Sequence, residues 1–198
     1  MAKDVFDNNL EPSQSRGRQI AHFIIEMIII VAIMLGIRYY LVKPFYVKGA
    51  SMEPNFYDHQ YLIIDEITYR LSEPKRGDVI VFKYPTDPKQ YFIKRVMGLP
   101  GEHIKIENGK IYIVDVNGKS VELIESYLPQ GIVTDLPLRG YSDIVLGSNE
   151  FFVLGDNRSQ SLDSRIFGPV KKDYIVGRAW IRAWPLNKIT VFETPKTQ

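Results

Sequence analysis

"HIKIENGKIYIVDVNGKSVEL", residues 103–123, decides the fold class of this chain. Asn108-Gly109 and Asn117-Gly118 each stand between runs of β-forming residues. Asn-Gly between such runs is the strongest short-range signal for a β-hairpin, because both residues tolerate a positive φ. Residues 103–125 are therefore predicted to form a three-stranded antiparallel meander.

Similar short β-rich runs recur through most of the chain, separated by turn signals such as Pro-Gly, Lys-Arg-Gly and Asp-Pro. This pattern is typical of an antiparallel, mostly β domain. The predicted strands are YLIIDEI at 61–67, DVIVFKY at 78–84, YFIKRVMG at 91–98, FFVLGD at 151–156, YIVGRAWIRAW at 174–184 and ITVFE at 189–193. Residues 126–148 are predicted to continue the meander loosely, so that 103–148 form a small β subdomain inserted into a β-rich domain of residues 43–198.

The N-terminal part of the chain contains one long apolar run. "IAHFIIEMIIIVAIMLGI", residues 20–37, is polar only at His22 and Glu26. As a helix it spans about 27 Å, close to the bilayer core of about 30 Å. The run exceeds a typical signal-peptide core and no Ala-x-Ala-like site follows it closely, so an uncleaved transmembrane anchor over 19–42 is favoured over a removed leader. Residues 1–18 are predicted to be a polar tail.

The composition excludes several classes of function. A length of 198 residues suits one domain with a small insertion, and a net charge of +2 gives no basic field for nucleic acid. The absence of cysteine excludes disulfides, thiolate metal ligands and a cysteine nucleophile. No metal-ligand spacing such as H-E-x-x-H occurs. We therefore expect no metal, no cofactor and no nucleic-acid partner.

Ser51, in "KGASMEP" at 48–54, is a candidate nucleophile that needs a base to remove its proton. A Ser-His-Asp arrangement is one option. Its candidate members are His59 and His103, with Asp58, Asp65 or Asp163 as the orienting acid. Neither histidine lies in a recognisable motif.

A neutral lysine is the other option for the base. In "YFIKRVM", strand alternation places Phe92, Lys94 and Val96 on one face and Arg95 on the other. Apolar neighbours lower the pKa of a lysine by desolvation, as a base near neutral pH requires. The alternative is an edge-strand lysine that reaches water. The polar stretch "GDNRSQSLDSR" at 155–165 is either a solvated loop or a network that holds a buried lysine.

Four motifs in one order carry a family resemblance. They are GASMEP at 49–54, RGDVIVFKYP at 76–85, FIKRVMGLPGE at 92–102 and GDNRSQSLDSRIFGPV at 155–170. Together, behind an N-terminal anchor, they resemble the bacterial type I signal peptidases, membrane-bound serine proteases that remove signal peptides from exported proteins.

The resemblance implies a role for each matching residue. Ser51 would be the nucleophile, Lys94 the general base, and Ser161 would orient the Lys94 amine through a hydrogen bond. The implied supporting residues are Asp163 and Arg165, as an ion pair, and Asp156 and Arg158, as a scaffold of the same turn. The oxyanion would be held by the Ser51 backbone N–H and a second donor. Part of the family carries a hydroxyl residue where this chain has Gly49, so a backbone donor or water must replace it.

The resemblance also implies how substrate binds. The preprotein would lie as an extended strand beside residues 45–49 and 90–93, with shallow pockets for small side chains at the first and third positions before the cut, as in Ala-x-Ala. The residues implied to line these pockets are Phe45, Val47, Met52, Phe56, Phe92 and Ile93. Each of them also fits simple core packing.

Partners and location follow from the same match. Preprotein signal peptides, the lipid bilayer and the export translocon are the expected partners. A single pass would place the catalytic domain on the extracytoplasmic side of a bacterial cytoplasmic membrane; basic residues flank both ends of the apolar run, so charge alone does not orient it. Two rivals are the self-cleaving repressors, which pair Ser with Lys but carry DNA-binding helices, and a non-enzymatic single-pass protein whose β domain binds partners.

Overall fold

A computed structural model of the chain describes residues 16–40, 42–115, 117–137 and 140–193. The described residues form two compact units that divide after Tyr40. The first is an apolar helix and the second is mostly antiparallel β structure, so the predicted fold class is confirmed.

The N-terminal unit is one helix, α1, Arg16–Tyr40. Its stretch Arg16–Gly36 has a mean hydropathy of 2.2, and by length and composition it is able to cross a membrane. The helix begins inside the tail predicted for 1–18, of which residues 1–15 lie outside the described residues. The predicted borders of tail, anchor and inserted subdomain stay proposals.

The second unit contains twelve strands and two short helices. The strands are β1 (Val42–Tyr46), β2 (Tyr61–Asp65), β3 (Val79–Tyr84), β4 (Asp87–Gly98), β5 (His103–Glu107), β6 (Lys110–Val114), β7 (Ser120–Glu122), β8 (Asp143–Val145), β9 (Glu150–Leu154), β10 (Val170–Lys171), β11 (Ile175–Trp184) and β12 (Thr190–Val191). The helices are α2 (Thr68–Leu71) and α3 (Ser164–Phe167), and 3-10 turns span Lys172–Tyr174 and Leu186–Lys188.

The strands form two antiparallel sheets. The larger has the order β1-β2-β11-β3-β4-β9-β10, with β12 beside β11, and the smaller has the order β7-β6-β5-β8. Strands β5, β6 and β7 are the predicted meander, and Asn108 and Gly109 join the first two with φ of 51° and 74°. Residues 126–148 add more than a loose continuation, because β8 pairs with β5.

Strand β1 was not among the predicted strands, because Pro44 interrupts it. A proline lacks the N–H that an interior strand donates, so it is tolerated on an edge strand. In the described part of the chain, β1 pairs only with β2, which leaves its other edge free.

The larger sheet is buried on both faces around β3 and β4. Val79 and Val81 face one apolar cluster, while Ile80 and Phe82 face another. A third cluster joins the smaller sheet to the end of β4 through Met97. Because both faces are covered, residues of either parity in the second half of β4 are removed from water.

Gly177 lies where β11 approaches β2 closely. A Cβ at this position would lie 2.5 Å from the Asp65 carbonyl oxygen and 2.8 Å from Ile64 Cγ2. Gly177→Ala should therefore lower the free energy of unfolding by about 1–3 kcal/mol, the usual cost of overpacking. Chemical denaturation of the full chain in detergent measures this.

Gly147→Ala is the matched control, since its Cβ would meet only the flexible side chain of Glu150. Equal stability of the two variants would contradict the close approach of these strands.

Candidate active site

Ser51 and Lys94 meet within hydrogen-bond distance. Lys94 Nζ lies 2.7 Å from Ser51 Oγ and 2.8 Å from the Ile93 carbonyl oxygen. The lysine is only 3% exposed, although it carries an amine. The structure thus brings the two predicted residues together across 43 positions of sequence.

Burial sets the protonation of this amine. Desolvation lowers the pKa of Lys94 from 10.5 to about 8, while the charges of Asp163 and Asp156 raise it in part. Near pH 8 a large fraction of the amine is therefore neutral and holds a lone pair that accepts a proton.

The alternation predicted for β4 is confirmed. The Phe92 ring centre lies 5.4 Å from Lys94 Nζ on one face. On the other face, Arg95 Nε and Nη2 donate to the two carboxylate oxygens of Asp156, at 2.8 and 2.6 Å. The neighbouring cation is therefore neutralised on the far side of the strand.

The turn that carries Ser51 is fixed by the loop after β9. Asn157 N–H donates to the Ser51 carbonyl at 3.1 Å, and Asn157 Nδ2 donates to the Ala50 carbonyl at 3.1 Å. Gly155 makes the approach possible, since a Cβ there would lie 2.4 Å from the Ser51 carbonyl oxygen. The position of the nucleophile thus depends on this loop.

The predicted pair of Asp163 and Arg165 is present. Arg165 Nε and Nη2 donate to the two Asp163 oxygens at 2.9 and 2.8 Å. Asp163 Oδ2 also accepts the Gly155 N–H at 3.0 Å, and Arg165 Nη2 donates to the Arg158 carbonyl at 2.7 Å. This ion pair therefore holds both ends of the polar loop.

Asp156 and Arg158 were expected to scaffold their own turn, and they also bind residues outside it. Asp156 accepts from Arg95 and, at 2.9 Å, from Asn55 Nδ2. Arg158 is paired with Glu125 in the stretch after β7 and donates to the Gly155 carbonyl at 3.0 Å.

Sequence reasoning missed Asn55, Arg95 and Glu125. For Arg95, the one sequence feature that could have indicated a role was its position next to Lys94, on the opposite face of the strand.

Ser161 departs from the hydrogen bond that the resemblance implied. Its Oγ is buried and has no hydrogen-bond partner among the described residues. The described bonds of Lys94 Nζ go to Ser51 and Ile93 instead. Ser161 Oγ lies against Gly155, where a Cβ would come within 2.2 Å of it. In this structure Ser161 is packed into the loop and does not hold the amine.

The backbone N–H of Gly49 makes a hydrogen bond that the sequence analysis did not predict. Its N–H donates to Asp58 Oδ1 at 2.9 Å, and its φ of 85° is the left-handed conformation that suits glycine. This bond is the main reason that the pKa of Asp58 lies below its ordinary value. The Gly49 N–H is therefore already used, whereas the Ser51 N–H has no acceptor in the described part of the chain.

A cavity of about 530 Å³ opens onto Ser51 and Lys94. Of the residues predicted to line the substrate pockets, Phe45, Phe92 and Ile93 line it. The other three, Val47, Met52 and Phe56, do not line it; each is 1% exposed and belongs to the core. Tyr46, Gln90 and Tyr91, from the two stretches predicted to flank the substrate, also line the cavity. Gln160 and Leu162 line it as well, and the sequence analysis did not single them out.

The histidines are engaged elsewhere. His59 pairs with Asp58 at 2.9 Å and His103 pairs with Asp143 at 2.5 Å. Ser51 Oγ has no histidine among its described partners, which favours the lysine option. Within the described ranges, no group of three His, Asp or Glu side chains is arranged to hold a metal ion.

Comparison with known proteins now decides the family. A family model described as "Signal peptidase, peptidase S26" matches residues 20–184. The chain belongs to this signal peptidase family. A probable signal peptidase I-2 from Synechocystis is 36% identical over 169 residues, which cover 82% of this chain and 72% of the relative.

A second relative also carries a signal peptidase name. Signal peptidase IB from Staphylococcus aureus is 30% identical over 184 residues, covering 86% of this chain and 93% of the relative. A crystal structure of a signal peptidase I from Enterococcus faecalis matches 54% of this chain and 97% of its own length, at 32% identity and a TM-score of 0.43.

The chain is therefore a type I signal peptidase, a hydrolase that acts on preprotein signal peptides. Together with helix α1, this family membership indicates a membrane-anchored enzyme. The repressor and non-enzymatic readings are excluded with it.

The cost of burying the Lys94 amine is measurable in stability. A fall in pKa from 10.5 to about 8 corresponds to about 3 kcal/mol. Lys94→Met keeps a similar volume without charge, so at pH 7 it should raise the free energy of unfolding by about 2–3 kcal/mol. The gain should shrink as pH rises from about 8 towards 10.5, because there the folded wild type has lost the proton that the unfolded chain still binds.

Lys89→Met, on the exposed part of the same strand, is the control and should change stability by less than about 0.5 kcal/mol. Denaturation curves at several pH values provide the comparison. A Lys94→Met variant that is less stable than wild type at pH 7 would contradict the burial cost.

Proposed function

We propose that this signal peptidase cleaves its substrates with a Ser51–Lys94 dyad through an acyl-enzyme. The observation that carries the proposal is the 2.7 Å contact between Ser51 Oγ and a buried lysine amine. Supporting it, burial brings the pKa of that amine to about 8, within the range in which a general base operates.

The reaction proceeds in two halves. Ser51 Oγ attacks the scissile carbonyl while Lys94 Nζ takes its proton, and the resulting ammonium protonates the departing amine. The C–N bond breaks and the signal peptide stays on Ser51 as an ester. Lys94, neutral again, then removes a proton from water, which attacks the ester. The Lys94 ammonium returns this proton to Ser51 Oγ as the C–O bond breaks and the signal peptide leaves.

The negative oxygen of each tetrahedral intermediate needs hydrogen-bond donors. The Ser51 N–H is one, since no described group accepts from it. Gly49 N–H is not the second, because Asp58 holds it. A water molecule or an amide side chain at the cavity, such as Gln160, completes the pair.

Substrate binds as an added β-strand between two free strand edges. In the described residues β1 pairs only with β2, and residues 87–94 of β4 pair only with β3. The cavity between these edges opens onto Ser51 and is lined by Phe45 and Ile93, and we assign it the small side chains at the first and third positions before the cut.

The anchor places the enzyme where its substrates are. A single pass through the cytoplasmic membrane, with the β domain on the extracytoplasmic side, confines enzyme and signal peptide to one surface and raises their effective concentration. The bilayer and the export translocon are the partners in this arrangement. Asp163, Arg165, Asp156 and Arg158 support the dyad from the loop after β9, while Ser161 packs against Gly155 within that loop.

Cleavage by variants tests the dyad. Full-length enzyme in detergent should cut a preprotein after a small residue, and Ser51→Ala and Lys94→Ala should each lower kcat by at least about a thousandfold. Lys94→Arg should be as inactive, because a guanidinium does not deprotonate near neutral pH. Product analysis by mass spectrometry locates the cut.

Two control variants, Ser120→Ala and Lys119→Ala, replace exposed residues of the same types away from the substrate edges and should keep normal activity. Processing by Ser51→Ala or Lys94→Ala at the wild-type rate would remove the proposal.

The pH dependence follows from the neutral amine. Since Lys94 must lose its proton to act, kcat/KM should rise with pH and level off above an apparent pKa near 8. Initial rates on a peptide without ionising groups, measured from pH 6 to 10, check this. A rate that is flat across the range would contradict lysine as the base.

A further inference from the structure

A second cavity adjoins the one at Ser51. It has a volume of about 600 Å³ and shares two walls, Phe45 and Tyr91, with the first cavity. The two therefore meet across these side chains, and together they are called the groove.

The order of residues along β1 fixes how the cavities follow each other. Residues 48–51 line only the first cavity, Phe45 lines both, and Lys43 and Pro44 line only the second. A chain that pairs with the free edge of β1 and leaves Ser51 along it therefore passes Phe45 and reaches the second cavity.

The walls of the second cavity are mainly aromatic and aliphatic. Tyr69 and Tyr174 line it together with the two shared rings, and aliphatic side chains add to the apolar lining: Ile64, Val81, Ile175 and Val176. The Tyr69 hydroxyl donates to Asp78 Oδ2 at 2.7 Å, which fixes this ring in place.

Charged groups also border the cavity. Lys43 is paired with Glu66 at 2.8 Å, while Arg70, Lys83 and Asp173 are exposed. Because these charges are paired or reach water, the apolar walls are the part of the lining that a large apolar side chain would contact.

We infer that this cavity is a subsite for a large apolar side chain, leucine or phenylalanine, at the fifth position before the cut. The inference rests on the proposed function, which puts the first and third positions in the cavity at Ser51. Alternate residues of an extended strand point the same way, so the fifth residue follows the first and third towards the groove. Each step along the strand advances about 3.3 Å, so the fifth residue lies about 13 Å from the first, in the direction of Phe45 and the second cavity.

The chemistry of the substrate agrees with this assignment. A signal peptide has an apolar central region of about 7–15 residues, and its small-residue cleavage site lies on the C-terminal side of that region. The residues upstream of the third position are thus drawn from, or border, an apolar segment. An aromatic subsite at this position binds the end of that apolar segment and so helps to select the bond that is cut.

A peptide series on the wild-type enzyme tests the subsite without any variant. All the peptides share the residues from the fourth position before the cut onwards. Four of them carry Leu, Phe, Ala or Asp at the fifth position before the cut. One more, the truncated peptide, begins at the fourth position. Leu and Phe should give kcat/KM roughly tenfold above Ala, with Asp lowest. Equal kcat/KM across the series would overturn the inference.

Tyr174→Ala removes a wall that belongs only to the second cavity. It should lower kcat/KM for the Leu peptide to the value of the Ala peptide and leave the truncated peptide unchanged. Tyr174→Phe, which keeps the ring, should behave as wild type, and Tyr112→Ala on the inserted sheet is the matched control. An equal loss on the Leu and truncated peptides would overturn the subsite.

The two proposals fail separately. If wild-type enzyme cleaves none of these peptides and no preprotein, the proposed function fails. If it cleaves the truncated peptide but ignores the fifth position, only the subsite fails.

Discussion

The function of this molecule depends on keeping one amine out of water. Lys94 sits in the second half of β4, where apolar clusters cover both faces of the sheet, and only 3% of it is exposed. Desolvation of that group opposes folding by an amount comparable to a sizeable part of a domain's net stability. The fold accepts this cost and gains a lysine that exchanges a proton near neutral pH.

The pairing of the charges around the Lys94 amine explains why its pKa stays low although two carboxylates lie nearby. Asp163 and Asp156 each raise the pKa of Lys94, and an unpaired carboxylate nearby would hold the proton more firmly. Each acid is instead bound by an arginine in two-point contact, Asp163 by Arg165 and Asp156 by Arg95. These ion pairs let acidic groups organise the loop after β9 while limiting their field at the amine.

Much of this was readable in the sequence. The Asn-Gly hairpin at 108–109 and the alternation through Phe92 and Lys94 depend on neighbouring residues, so local patterns predicted them. Other features join distant positions: Arg158 to Glu125 spans 33 residues, and Asn55 to Asp156 spans 101. No local pattern announces such contacts.

Three further departures have local physical causes. Strand β1 was not predicted because Pro44 interrupts the strand pattern in the sequence, although an edge strand tolerates a proline. Val47, Met52 and Phe56 match a substrate motif, yet packing against the sheet buries them in the core. The Gly49 N–H donates a hydrogen bond to the Asp58 carboxylate nine residues later, and this bond depends on the turn between them.

The most direct test of the central claim is an NMR titration of the Lys94 side chain in the full-length enzyme. Lysines labelled with ¹³C at Cε, with the Lys94 signal assigned by its loss in Lys94→Arg, report the protonation of the amine itself. The structure predicts a midpoint near pH 8. A Lys94 amine that stays protonated to pH 10 or above in the folded enzyme would contradict the account.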